Sequence, residues 1–290
     1  MHVDLLAGTS YNPATMTSPL PTILVFDSGL GGLTVFAEVL KARPDARFVY
    51  AGDDAGFPYG RFSEEALVAR VLTVMDRLIA IHAPDLVVIA CYTASTLILP
   101  HLRARFPMPF VGTVPAVKPA ALLSASRRLT VLATPGTVAR DYTHDLIETY
   151  AGGCRVNLVG SHRLAGFAEA ELAGSPVSDA EIAAELAPCF VEDEGGRTDV
   201  VVLACTHYPL LLPRFQRLAP WPVTWVDPAP AIARRVTQLI GGPAPGHESA
   251  DEDALAVFTG GARLTPALRQ ALVERGLPKL AVEAIPLASA

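Results

Sequence analysis

The sequence predicts an α/β protein of two pseudo-symmetric domains, each a mostly parallel sheet flanked by helices. Three observations lead there. Short β-branched runs alternate with longer segments of helical periodicity, the runs are apolar along their whole length, and half of the pattern occurs twice. The strands are expected at "TILVF" (22–26), "RFVYAG" (47–52), "DLVVIA" (85–90), "PFVGTV" (109–114), "LTVLAT" (129–134), "RVNLVG" (155–160), "DVVVLA" (199–204) and "VTWVD" (223–227). Between them, "SEEALVARVLTVMDRLIAIH" (63–82) spaces its apolar residues as a helix does and carries acidic residues in its first turn. The first domain is expected over 21–114 together with 226–290, and the second over 115–225. Residues 1–20 contain neither Lys nor Arg and no sustained apolar core, which marks a flexible leader with Met16 as an alternative start. The turn-rich stretch 241–254 is expected to be a surface loop.

The chain has 290 residues, 51% of them hydrophobic and 18% charged, with a net charge of -6. That supply of apolar residues is ample for a packed core. The acidic balance argues against nucleic acid or an anionic membrane as partner, since either needs a concentrated positive face. A small molecule is the better expectation. No apolar run is long enough for a membrane span, so a cytoplasmic location is expected. Cysteines occur only at 91, 154, 189 and 205, without a CxxC pair or the Cys/His spacing of a zinc site. Disulfide, structural-metal and dithiol redox roles therefore lack support.

Two of those cysteines close matched heptads, "DLVVIAC" (85–91) and "DVVVLAC" (199–205). In parallel sheets, ligands bind beyond the carboxyl ends of the strands. Asp27 and Ser28, Cys91 to Ser95, Thr134 to Thr137 and Cys205 to Tyr208 all fall at such ends, so the active site is expected in the interdomain cleft. A thiol on each side of a substrate supplies an acid and a base of the same kind, which suits racemisation at an α-carbon. Asp27 and His207 are the polar helpers available to the two sulfurs.

These residues resemble the glutamate racemase family of cofactor-independent isomerases. The resemblance covers nearly the whole chain from Ile23. It rests on "FDSGLGGLTV" (26–35), "FPYGRFS" (57–63), "ACYTAST" (90–96), "VGTVPAVKPA" (111–120), "LATPGTV" (132–138), "RDYTHDLI" (140–147), "GSHRLAGFAEAELAG" (160–174) and "ACTHYPLL" (204–211). It implies that Cys91 and Cys205 are the acid/base pair, that Asp27 assists Cys91, and that His207 with Glu169 assists Cys205. Glu171 competes with Glu169 for that last role. Asp27, Ser28, Pro58, Tyr59, Gly60, Tyr92, Thr93, Thr134, Thr137, Thr206 and His207 are then the positions expected around the substrate. The resemblance further implies no pyridoxal phosphate, no metal, and a role in providing D-glutamate for peptidoglycan. A muropeptide-precursor activator and a homodimer are its candidate partners.

One position departs from the pattern. The first cysteine motif of the family ordinarily has Asn after the cysteine, where this chain has Tyr92. The amide's paired donor and acceptor are lost and a ring must be accommodated. Weakened glutamate turnover, a shifted substrate and a compensating change elsewhere are the open readings, with weakened or compensated glutamate racemisation ranked first. An aspartate or hydantoin racemase is the runner-up, although "DSGLGGLTV" and "PYG" speak against it. A catalytically silent homologue has only Tyr92 in its favour.

Overall fold

The computed structural model describes residues 20–244, 253–262 and 264–287; the leader before Leu20 and most of the 241–254 loop lie outside them. In chain order, β1 (Thr22–Asp27), α1 (Leu33–Ala42), β2 (Arg47–Gly52), α2 (Glu64–His82), β3 (Leu86–Ile89), α3 (Tyr92–Arg105) and β4 (Phe110–Val111) come first. Then follow α4 (Val117–Leu123), β5 (Arg128–Ala133), α5 (Pro135–Val138), α6 (Asp141–Ala151), β6 (Arg155–Gly160), α7 (Leu164–Leu172) and α8 (Asp179–Leu186). A small hairpin, β7 (Glu192–Asp193) and β8 (Gly196–Arg197), leads to β9 (Val200–Ala204), α9 (Leu212–Leu218) and β10 (Thr224–Val226). The last elements are α10 (Ala229–Ile240), β11 (Leu255–Phe258), α11 (Pro266–Val273) and β12 (Lys279–Val282).

The chain forms two compact units, one from the described residues up to Thr113 with those from Ala229 onward, the other from Val114–Pro228. The first unit has a six-stranded parallel sheet in the order β12-β11-β2-β1-β3-β4. The second has a four-stranded parallel sheet in the order β10-β9-β5-β6. Aligning β2-β1-β3-β4 with β6-β5-β9-β10 superposes one topology on the other, which is the structural form of the sequence repeat. β11 and β12, short runs among turn residues, extend the first sheet and carry too little periodicity to stand out in the sequence. The "VTWVD" strand and the helix after it part company: β10 pairs with β9, whereas α10 packs on α1. The crossing therefore follows Pro228 rather than residue 225.

Local chemistry explains the boundaries of these elements. Ser63 caps α2 by accepting a hydrogen bond from the Ala66 N–H at 3.2 Å, and Glu64 and Glu65 lie in its positive first turn. The predicted "PFVGTV" strand shortens to two residues because the Thr113 N–H donates to Ser95 Oγ at 2.8 Å instead of to a neighbouring strand. Gly112 permits that approach, since a Cβ there would collide with Leu99 and Ser95. The central strands are sealed on both faces: Ile23 to Phe26, Leu86 to Ile89 and Val201 to Ala204 have no exposed surface. Burial of each large side chain contributes roughly 1.5–3 kcal/mol, enough to place these strands in the middle of their sheets.

The acidic residue that opens each heptad is structural. Asp85 accepts the Thr22 N–H at 2.8 Å, and Asp199 accepts the Ser126 N–H at 2.8 Å and the Ser124 hydroxyl at 2.7 Å. Each carboxylate thus satisfies backbone at the start of the strand beside it, aligning β1 with β3 and β5 with β9. Burial pushes the Asp199 carboxyl upward, but the Ser126 and Ser124 donors outweigh it and leave its pKa below the ordinary 3.8. A lowered carboxyl contributes stability that is complete above its ordinary value and is lost as pH falls through the lowered one. Asp199→Ala is expected to cost about 1–3 kcal/mol at neutral pH. In denaturant titrations the gap to the parent should narrow below pH 3.8.

Candidate active site

In the first unit, parallel pairing of Phe26 with Ile89 carries on past the strand ends, so Ser28 comes beside Cys91. The Cys91 thiol donates to Ser28 Oγ at 3.6 Å. Cys91 is the N-cap of α3, and the open backbone N–H groups of that first turn favour negative charge at this spot. Asp27 is fully buried and accepts the Gly29 N–H at 3.0 Å, which shapes the turn after β1. Gly32 is required there because a Cβ would collide with the Asp27 side chain. Tyr92 and Thr93 start α3 and are both buried, so the Tyr92 ring is enclosed by protein.

The Pro58, Tyr59 and Gly60 loop is anchored from beneath. Pro58 is half-buried and Gly60 exposed, while Tyr59 is buried with its hydroxyl donating to Asp53 Oδ2 at 2.7 Å. Burial, reinforced by the Asp53 charge and hydrogen bond, holds the Tyr59 phenol well above its usual range. It is a neutral donor committed to Asp53, leaving the loop's backbone as the part available to a ligand.

In the second unit, Ala133 pairs with Ala204, and Thr134 therefore comes beside Cys205 as Ser28 does beside Cys91. Thr134 caps α5, its hydroxyl 3.1 Å from that of Thr137, and Thr143 donates to the Thr137 carbonyl at 2.7 Å. Cys205, Thr206 and His207 are all buried. Cys205 Sγ lies 3.8 Å from His207 Nδ1, and His207 Nε2 lies 2.8 Å from Glu169 Oε1. Burial alone would lower the His207 pKa, but contacts with Cys205 and Glu169 overcome it and hold the imidazole well above its ordinary 6.5. The result is a Cys–His–Glu chain of contacts in which the carboxylate fixes the ring and the other ring nitrogen faces the sulfur. Glu171 faces another way and pairs with Arg214. The two acidic candidates on α7 are thereby separated.

Several polar residues at these strand ends were not singled out in the sequence. Asp53 and Ser161 follow β2 and β6, and their N–H groups donate to Asp27 and Ala133 carbonyls at 2.9 Å each. The Ser161 hydroxyl donates to Glu185 at 2.6 Å; Tyr208, already placed at a strand end by the sequence, donates to the Ala133 carbonyl at 2.8 Å. Arg70 had a visible signal, being the charged residue on the helix stripe Leu67, Val71, Val74, Met75 and Leu78. Cys189 is buried, and burial pushes its thiol up to about 12, so it behaves as a core hydrophobe. Among the described residues no group of three or more His, Cys, Asp or Glu is placed to hold a metal, and no helix is long and apolar enough to cross a membrane.

Paired parallel α/β units with a thiol at equivalent strand ends are the build of an amino-acid racemase, and residues 31–236 match the model of the Asp/Glu/hydantoin racemase family. The chain belongs to that family and is an isomerase. Within the family its relatives are glutamate racemases. That of Brucella canis is 54% identical over 249 residues, covering 85% of this chain and 90% of the relative. The crystal structure of Escherichia coli glutamate racemase in complex with L-glutamate and the activator UDP-MurNAc-Ala is 41% identical with a TM-score of 0.83, over 92% of this chain and 99% of that one. The Thermus thermophilus glutamate racemase, solved with β-chloro-D-alanine, is 27% identical with a TM-score of 0.69, over 93% of this chain and 99% of that one.

A histidine with a raised pKa contributes stability that is complete below its unfolded value and declines as pH rises through the folded one. The stability advantage of the parent over His207→Gln should therefore be largest below pH 6.5 and shrink above it, as followed by thermal melts across pH. In Glu169→Gln the oriented carboxylate is gone while the shape is kept. The histidine's pKa, read by NMR titration of its ring, should fall toward the ordinary value.

Proposed function

We propose that the protein interconverts L- and D-glutamate without a cofactor, by a two-thiol mechanism, and that the D-glutamate serves peptidoglycan synthesis. The observation that carries this reading is the equivalence of Cys91 and Cys205. Each sits just beyond the carboxyl end of a central strand, Cys91 two residues after β3 and Cys205 one after β9, beside a hydroxyl residue that follows the neighbouring strand. In one direction a thiolate breaks the α-C–H bond and takes the proton, and the other thiol delivers its own proton to the opposite face. Glutamate gains and loses one proton, and the two sulfurs exchange protonation states. The reverse reaction uses the same groups in opposite roles.

The carbanion needs stabilisation because an amino acid's α-proton is weakly acidic. Backbone N–H groups in the first turn of α3 and hydroxyls such as those of Ser28, Thr93 and Thr206 are the donors available for the substrate carboxylate. The Glu169–His207 pair supplies or receives the proton at Cys205, while Asp27 and Ser28 flank Cys91. A muropeptide precursor as activator follows from likeness to the E. coli enzyme, whose structure holds UDP-MurNAc-Ala.

In D2O, either enantiomer of glutamate should gain α-deuterium and lose optical rotation. Cys91→Ala or Cys205→Ala should abolish racemisation, and His207→Asn should slow it by about 10²- to 10⁴-fold. Normal turnover in either cysteine variant would remove the two-thiol mechanism, and exchange of aspartate but not glutamate would move the substrate.

Tyr92→Asn, assayed in parallel, is expected to remain active and to alter KM for glutamate more than kcat. An inactive parent rescued by that change would instead identify a silenced homologue.

A further inference from the structure

At the end of β2 lies a buried polar hub that the two-thiol chemistry does not use. Asp53 has no exposed surface, and both of its oxygens are occupied: Oδ2 accepts from Tyr59 at 2.7 Å and Arg70 Nε at 2.9 Å, Oδ1 from Arg70 Nη2 and Thr259. The Arg70 guanidinium turns its remaining donors to the backbone, giving Nη1 to the Pro286 carbonyl at 2.9 Å and Nη2 to the Ile285 carbonyl at 2.7 Å. Five separate parts of the first unit meet here: the strand end beside Asp27, the Pro58–Gly60 loop, α2, the end of β11 at Thr259, and the segment that follows β12. A Cβ on Gly56 would collide with Asp53, so the loop rests directly on the carboxylate. Tyr59 and Cys91 belong to the same buried cluster, which ties this anchor to the surroundings of the sulfur.

We propose that Asp53 and Arg70 are positioning residues, a buried ion pair that locks the Pro58–Gly60 loop and ties its placement to residues 285–286. The geometry suits that task better than it suits stability alone. A buried pair costs much of its attraction in desolvation, whereas a planar guanidinium offers several donors in fixed directions and can register separate backbone segments. Tyr59 transmits the position through one hydrogen bond. In the racemase reading, on which the kinetic part rests, the loop binds ground and transition states alike, and loosening it raises KM.

Arg70→Ala would leave a buried carboxylate without its counter-ion and threaten folding. The informative variants are Tyr59→Phe, which keeps the ring in the core and deletes the bond to Asp53, and Arg70→Lys, which keeps the charge and loses the fork. Hydrogen exchange read by mass spectrometry should rise about tenfold or more across 54–62 in both variants, with 205–211 unchanged. Arg70→Lys should also loosen 283–287, which Tyr59→Phe should leave protected. KM for glutamate should rise about tenfold with kcat nearly unchanged, the mark of lost uniform binding. Parent-like exchange across 54–62 in both variants would overturn the proposal, as would parent-like KM in both despite loosening. Exchange is read without turnover, so an inactive parent would defeat only the racemase reading.

Discussion

In each unit two neighbouring parallel strands end within a residue of one another, and the ladder between them decides which side chains meet beyond the sheet. Phe26 opposite Ile89 brings Ser28 to Cys91, and Ala133 opposite Ala204 brings Thr134 to Cys205. A slip of one residue would turn every side chain to the other face. The buttressing carboxylates Asp85 and Asp199, which bind backbone at the start of the adjacent strand, guard against it. The chemistry at the carboxyl edge is thus set at the opposite end of the same strands.

The two units share a plan but support their thiols differently. Cys91 has the Ser28 hydroxyl, the buried Asp27 nearby and the first turn of a 14-residue helix. Cys205 has an imidazole backed by a carboxylate, in which burial lowers the His207 pKa and its two partners raise it. Polar residues after β2 and β6 repeat too, yet Asp53 became an ion-pair hub while Ser161 serves Glu185. Repetition in the backbone has left room for divergence in side-chain chemistry.

How far the site was legible depends on whether its chemistry is local. The heptads, the Gly-containing turns and the "THY" after Cys205 are contiguous, and each marks a strand end without reference to anything distant. Glu169 and Glu171 could not be told apart from their spacing, because two positions along a helix point in different directions. Packing on Arg214 claims one, and His207 claims the other. Tyr59 lies in a motif whose resemblance implies a ligand contact; that its hydroxyl donates to Asp53, six residues earlier at the end of β2, is visible only in the fold.

The sequence by itself determined the α/β class, the repeat, the matched cysteines and the racemase resemblance, since periodicity, strand composition and short motifs are properties of neighbouring residues. Only the tertiary structure decided what each acidic group does. Asp85 and Asp199 align strands, Asp53 holds Arg70, and Glu169 orients His207. The physical reason is that a buried charge takes its role from the partners that satisfy it. Those partners lie 38 residues away for Glu169 and 206 for the Asp53 bond to Thr259, brought together only by folding.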